Sequence, residues 1–90
     1  MNDPLTFRQM SELQALMPAV QGCKPVRWLV DDTNVLCEGT ARAITHIGGG
    51  FLNADEDIRD GFVWISGTME HWLPVREVMA KISRGEFAID

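Results

Sequence analysis

The pattern of apolar residues in the stretch 61–82 changes from that of a strand to that of a helix at Pro74, and this change strongly constrains the fold. Residues 62–65 are all apolar, which is typical of a strand buried on both faces. A turn at 66–67 is followed by alternating residues over 68–73, as in a second strand. After Pro74 the apolar residues have the helical spacing i, i+3, i+4, i+7: Val75, Val78, Met79 and Ile82. The stretch therefore predicts a buried hairpin that leads into a short helix.

A helix is also predicted near the N-terminus, from Thr6 to Met17. Thr6 and Gln9 have the spacing of a capping box, in which each side chain accepts a hydrogen bond from the other residue's amide. One apolar stripe follows at helical spacing: Phe7, Met10, Leu13 and Met17. Pro18 lacks an amide donor and crowds the preceding turn, so we expect it to end or kink the helix.

Two strands are predicted next, Val26–Val30 and Val35–Ile47, on either side of a polar turn. The odd-numbered residues of the longer strand are almost all small, so another element can approach them closely. We expect the N-terminal helix to lie there, and Gly39 to permit a bend or bulge. The helix should make this contact through Phe7, Met10 and Leu13. A last short strand is predicted through Phe87 and Ile89.

These elements predict a single α+β domain over residues 1–90. A long bent strand among short antiparallel ones leaves two architectures open. One is an N-terminal helix on a small, strongly bent antiparallel sheet, and the other is an SH3/Sm-like barrel of about five strands. Either would carry a short C-terminal helix.

The segment Val26–Gly39, a strand, an acidic turn and a strand with a bending glycine, resembles the opening of the Sm-like fold. Ile65-Ser66-Gly67 is similar to the Ile-Arg-Gly signature of that family, with serine in place of arginine. Gly39-Thr40-Ala41 resembles a segment of the Rho-binding antiterminators of the Rof type. The resemblance implies a small β-barrel that inhibits or regulates nucleic-acid-handling machinery. Thr45, Gly49 and Ser66 depart from the Sm-like RNA pocket, so its uridine site is expected to be absent.

The net charge of −5 disfavours a general attraction to phosphate backbones. Six of the thirteen acidic residues fall in two predicted turns, which a small barrel could bring to neighbouring positions: Asp31, Asp32, Asp55, Glu56, Asp57 and Asp60. Such a patch suits either plain solvation or docking of a basic protein. Trp72 alternates with polar residues and is expected to be partly exposed, as an anchor for that partner, whereas Trp64 is expected in the core.

The alternative of a diverged Sm-like nucleic-acid-binding protein would depend on basic residues. Arg76, Lys81 and Arg84 are predicted on the C-terminal helix, away from its apolar stripe. They form the only local basic patch in the sequence. This position is otherwise typical of a solvated helix face whose cations favour the helix dipole.

No catalytic or cofactor motif is recognisable, so we expect a protein that is not an enzyme. The cysteines and histidines lack the spacing of a zinc site, and Glu70 and His71 should point to opposite faces of a strand. The N-terminal residues contain no apolar run, which favours a cytoplasmic protein with no membrane association. The sequence thus predicts a small acidic, non-catalytic module that binds another protein through acidic loops and a sheet edge. It leaves the oligomeric state open.

Overall fold

The computed structural model describes residues 3–90. Two α-helices, five strands and one 3₁₀ turn follow each other along the chain. In order they are α1 (Phe7–Gln21), β1 (Pro25–Leu29), β2 (Leu36–Thr45), the 3₁₀ turn (Ile58–Asp60), β3 (Phe62–Ser66), β4 (His71–Pro74), α2 (Val75–Ser83) and β5 (Phe87–Ile89). The predicted hairpin that leads into a helix is confirmed, since α2 follows β4 without a linker.

The strands form one antiparallel sheet in the order β4-β3-β2-β1-β5. The sheet is open, because β4 and β5 are its two edges and do not pair with each other. It is nevertheless strongly curved. Trp28 on β1 and His71 on β4 have ring centroids 5.1 Å apart, although three strand spacings would span about 14 Å in a flat sheet. The predicted α+β fold is confirmed. Of the two architectures left open, the bent antiparallel sheet is present and the closed barrel is not.

A β-bulge interrupts β2 where it pairs with β3. Ala41 is opposite Ile65 and Ala43 is opposite Trp64, so Arg42 is an extra residue between two consecutive pairs. Because cross-strand partners share a face, Ala41 lies on one face of the sheet and Ala43 on the other. The prediction of one continuous odd-numbered face is therefore wrong beyond the bulge.

Gly39 does not provide this bulge, which lies three residues further along the strand. Instead it allows β3 to approach closely. A Cβ atom at this position would lie 2.6 Å from Cγ2 of Ile65 and 2.8 Å from the carbonyl oxygen of Ser66. These separations are shorter than any ordinary carbon contact, so a side chain there would push the two strands apart.

The start of α1 is as predicted. The amide of Gln9 donates to Oγ1 of Thr6 at 3.1 Å, and the amide of Thr6 donates to Oε1 of Gln9 at 3.1 Å. The helix does not end at Pro18 but continues to Gln21. Residues on both sides of the proline are buried, including Leu16 and Val20, and this burial compensates for the hydrogen bond that proline cannot make.

α1 lies on β2, as expected, but a different stripe of the helix makes the contact. The buried apolar residues are Leu13, Leu16, Ala19 and Val20. Of the predicted contact residues only Leu13 belongs to this set, because Phe7 is 87% exposed and Met10 is 37% exposed. The chain thus buries a stripe that is rotated about the helix axis by roughly a quarter of a turn from the predicted one.

α2 covers the same face of the sheet beside α1, so the protein has two layers. The core between the layers consists of Leu13, Leu16, Val20, Val26, Trp28, Ala41, Val63, Ile65, Val75, Val78, Met79 and Phe87. Neither helix covers the opposite face of the sheet. Within residues 3–90, no helix has both the length and the apolar character that crossing a bilayer requires.

Candidate interaction surface

The two acidic turns lie at opposite ends of β2. Asp31 and Asp32 precede this strand, and residues 55–60 follow it. α2, with nine residues and a length of about 13 Å, lies between the two turns, since Arg76 pairs with Asp60 and Lys81 pairs with Asp31. The six acidic residues therefore form two groups, one near each end of α2, and their joint action as a docking patch stays a prediction.

Asp31 is held by a lysine from the far end of the chain. Nζ of Lys81 lies 2.5 Å from Oδ1 of Asp31 and 2.7 Å from the carbonyl oxygen of Leu29. The hydrogen bond from Lys81 to the carboxylate lowers the pKa of Asp31. Lys81 is only 2% exposed, so its ammonium group stabilises the turn and is not a surface contact for nucleic acid.

The acidic loop after β2 is also held by internal cations. The guanidinium of Arg59, which is 4% exposed, bonds both carboxylate oxygens of Asp57 and lowers the pKa of that residue. Glu56 accepts a hydrogen bond from the amide of Asn53. Nε2 of His46 lies 3.2 Å from Oε1 of Glu56, and Arg76 forms an ion pair with Asp60 at 3.2 Å. These acidic residues build the loop, and Asp55 is the one in it without an ion pair within residues 3–90.

The basic residues of α2 are therefore engaged with acids at both ends of the sheet. Arg76 pairs with Asp60 at one end, and Lys81 pairs with Asp31 at the other. Arg84, predicted on the helix, follows the end of α2 at Ser83; it pairs with Glu86 at 3.1 Å and approaches Asp31 at 3.8 Å. The residues of the predicted basic patch therefore form ion pairs within the protein, because each cation already has an acidic partner.

Aromatic side chains collect on the face of the sheet that the helices leave open. Trp64 and Trp72 are opposite each other on β3 and β4. Their rings stack with centroids 6.5 Å apart and planes 7° apart. Phe62 lies on the same face, and Phe51, which is 88% exposed, bridges to Thr45 beside it. We call these four residues, Phe51, Phe62, Trp64 and Trp72, the aromatic face.

Trp72 is half-buried, in agreement with the expectation of partial exposure. Trp64 is half-buried beside it, so its assignment to the core is wrong. The uninterrupted apolar run 62–65 suggested burial on both faces, yet two helices on one side of a five-stranded sheet leave the other face without a second layer. Comparing the number of predicted helices with the number of predicted strands would have indicated that one face of the sheet stays uncovered.

The aromatic face also carries polar groups. The side chain of Arg42, the bulged residue, is exposed and donates to Oγ of Ser66 at 2.8 Å. The indole N–H groups of Trp64 and Trp72 are inaccessible to solvent and have no acceptor within residues 3–90. The face therefore combines flat apolar rings with one cation that lacks an acidic partner among the ion pairs of residues 3–90.

Acid should destabilise the protein, because three carboxyl groups have lowered pKa values in the folded state: Asp31, Asp57 and Glu86. The chief causes are hydrogen bonds from Lys81, Arg59 and Arg84, respectively. Their contribution is present above the unfolded pKa and is lost as pH falls through the folded one. Burial raises the pKa of Glu77 and has the opposite sign. We expect the urea midpoint to fall between about pH 6 and pH 3.

The Asp57→Asn variant should reduce this dependence, since it removes one of the three shifted carboxyls. Asp55→Asn, in the same loop but without an ion pair, is the matched control and should leave it unchanged. An equal pH dependence in the wild type and Asp57→Asn would contradict the assigned role of Asp57.

The histidine, cysteine and acidic side chains that could serve catalysis or metal binding are spread over the fold. The ring of His71 packs edge-to-face with that of Trp28, whereas Glu70 is exposed in the preceding turn. Within residues 3–90, histidine, cysteine and acidic side chains nowhere form a group of three able to hold a metal ion. Cys23 and Cys37 are both free thiols. The aromatic face has to be interpreted from its own chemistry, since comparisons with models of known families, with curated proteins and with solved structures found no match.

Proposed function

We propose that the protein is a non-catalytic module that binds another protein with its aromatic face. The observation that carries this proposal is the uncovered sheet face with Phe62, Trp64 and Trp72, next to Phe51 at 88% exposure. Large aromatic side chains are enriched among the residues that dominate binding energy at protein interfaces. Contiguous apolar patches on a monomer mark interaction sites.

The charge distribution favours a partner with a basic rim. The protein carries a net charge of −5, and Asp55, exposed and without an ion pair, follows Phe51 by four residues. Acidic groups beside an apolar anchor accelerate encounter with a basic surface. Arginine or lysine side chains of the partner would also find favourable positions over the indole rings.

The resemblance to Rof-type proteins supports a more specific assignment. By that resemblance the partner belongs to nucleic-acid-handling machinery, the protein inhibits or regulates it, and both act in the cytoplasm. The uncovered aromatic face is compatible with this role, because a small domain with one strong binding face can block a larger protein's working surface.

A second candidate function is binding of single-stranded nucleic acid on the same face. The stacked pair of Trp64 and Trp72 beside Arg42 favours it, since bases stack on such rings without sequence preference. The net charge opposes it, and the cations of α2 are already paired. Protein binding therefore ranks first.

Phe51→Ala tests the aromatic face. A partner is first isolated from host lysate with the wild-type protein, and its affinity is then measured by calorimetry. We expect Phe51→Ala to weaken binding about 5- to 30-fold, the effect typical of an anchor worth about 1–2 kcal/mol. Val35→Ala is the control, because Val35 is also exposed but lies at the other end of β2. Equal affinities for the wild type and Phe51→Ala would exclude this face as the binding site.

Asp55→Lys tests the acidic rim. Association with the partner should slow several-fold at low salt and much less at high salt, because salt screens the attraction. Asp32→Lys, at the opposite end of the sheet, should change the rate less. Asp57 and Glu56 are left intact because they hold the loop together. If instead an oligonucleotide binds with a steep salt dependence that Trp72→Ala abolishes, the nucleic-acid function replaces the first proposal.

A further inference from the structure

The outward side of α1 carries no charged residue. The only charged residues between Phe7 and Gln21 are Arg8 and Glu12, and both line the cleft between α1 and α2. Ser11 and Ala15 are exposed beside Arg8, and the other outward positions form what we call the uncharged face: Phe7, Met10, Gln14, Met17, Pro18 and Gln21. In a protein with 23% charged residues, this composition is typical of an interface, where charges are depleted and methionine and aromatic residues are enriched.

The uncharged face is also concave along part of its length. A shallow groove of about 360 Å³ runs along it between Leu5 and Gln21, and Met10, Leu13 and Met17 contribute its apolar walls. Phe7 stands beside this groove with 87% of its surface exposed. A protruding ring and an apolar groove on one helix permit self-complementary packing, which an interface around a two-fold axis requires.

We propose that two copies of the chain associate through their uncharged faces, with the two α1 helices antiparallel. Each copy has a net charge of −5, so contact through most other surfaces brings like charges together. On the uncharged face two copies can meet without that repulsion.

The charges at the two ends of α1 favour an antiparallel pair of two copies. Asp3 precedes the helix and Lys24 follows it; both are exposed, and neither belongs to an ion pair within residues 3–90. In an antiparallel pair, Asp3 of one copy approaches Lys24 of the other, and the two-fold axis repeats this contact. A parallel pair would place like charges together at both ends.

The expected dimer is weak and leaves the aromatic face free. The fifteen residues of α1 form a helix about 22 Å long, so the interface belongs to the small class of transient contacts. A dissociation constant of about 10–100 µM is expected. The aromatic face is on the other layer of the protein, so partner binding and dimerisation can be tested separately.

Sedimentation equilibrium of the wild-type chain, up to about 1 mM, measures the association. We expect a monomer–dimer equilibrium that Met17→Glu abolishes, because this change places carboxylates in the apolar contact of both copies. Leu36→Glu is the control, since Leu36 is 58% exposed on β2 and should leave the dimer intact. A wild type that stays monomeric, or a Met17→Glu variant that associates equally well, overturns the proposal.

A charge swap tests the antiparallel arrangement with variants that leave the core untouched. Asp3→Lys and Lys24→Asp should each weaken self-association several-fold, because like charges then meet at both ends of the pair. An equimolar mixture of the two variants should recover association at least to the wild-type level, since every end contact joins opposite charges. Failure of the mixture to recover association overturns the antiparallel arrangement.

Discussion

Replacing Leu16 by alanine is expected to lower the free energy of unfolding by about 2–5 kcal/mol. Leu16 is fully buried between α1 and the sheet, and its truncation leaves a cavity that packed neighbours fill only in part. Urea denaturation monitored by tryptophan fluorescence measures the change.

Phe7→Ala is the matched control, because it removes a larger side chain from the same helix. Phe7 is 87% exposed, so we expect a change within about 0.5 kcal/mol. The reverse order of effects would mean that α1 packs through the stripe that contains Phe7.

The periodicity of apolar residues identifies α1 as a helix but not the side of it that packs on the sheet. The spacing of apolar residues and the capping box correctly predict that α1 exists and where it begins. Two stripes with this spacing run along the helix, one containing Phe7 and Met17 and the other containing Leu16 and Val20. A local pattern cannot distinguish them, because the choice depends on which stripe the rest of the fold can cover.

Ala41→Leu is expected to cost about 1–3 kcal/mol, because Ala41 is fully buried where α1 lies on β2. A larger side chain there pushes the helix away from the strand. Ala43→Leu provides the comparison, since the bulge at Arg42 places Ala43 on the open face. Its half-buried position should accept the added carbons at a smaller cost.

Thermal denaturation of both variants gives the two values. If both lose the same stability, the two alanines share an environment and the bulge does not separate them. If Ala41→Leu loses none, α1 does not press on this strand.

The order of helices and strands was accessible from the sequence, whereas the bulge was not. Glycine is the residue whose conformational freedom suggests a bulge, so Gly39 was the natural candidate. The bulge occurs at Arg42 because pairing with β3 sets the register there. The candidate site was less accessible, since the sequence indicates only Trp72 of the aromatic face as a partner contact and assigns Trp64 to the core.

The ion pairs of the acidic residues depend on contacts between distant parts of the chain, which a local sequence pattern does not reveal. Asp31 meets Lys81 across fifty positions of the chain. Asp57 and Arg59 are two residues apart, but the burial of that arginine depends on its bonds to Gln9 and to the backbone of Asp3. Sequence shows where the carboxylates are and leaves their partners undetermined.

The open sheet has a consequence for self-templated assembly. Unpaired edge strands are starting points for amyloid-like strand addition, and long flat edges are the most prone to aggregation. Here β4 spans four residues and ends at Pro74, which has no amide hydrogen, while β5 spans three and is followed by the charged Asp90. Edges this short offer few backbone groups to an incoming strand, so strand addition at either edge is disfavoured.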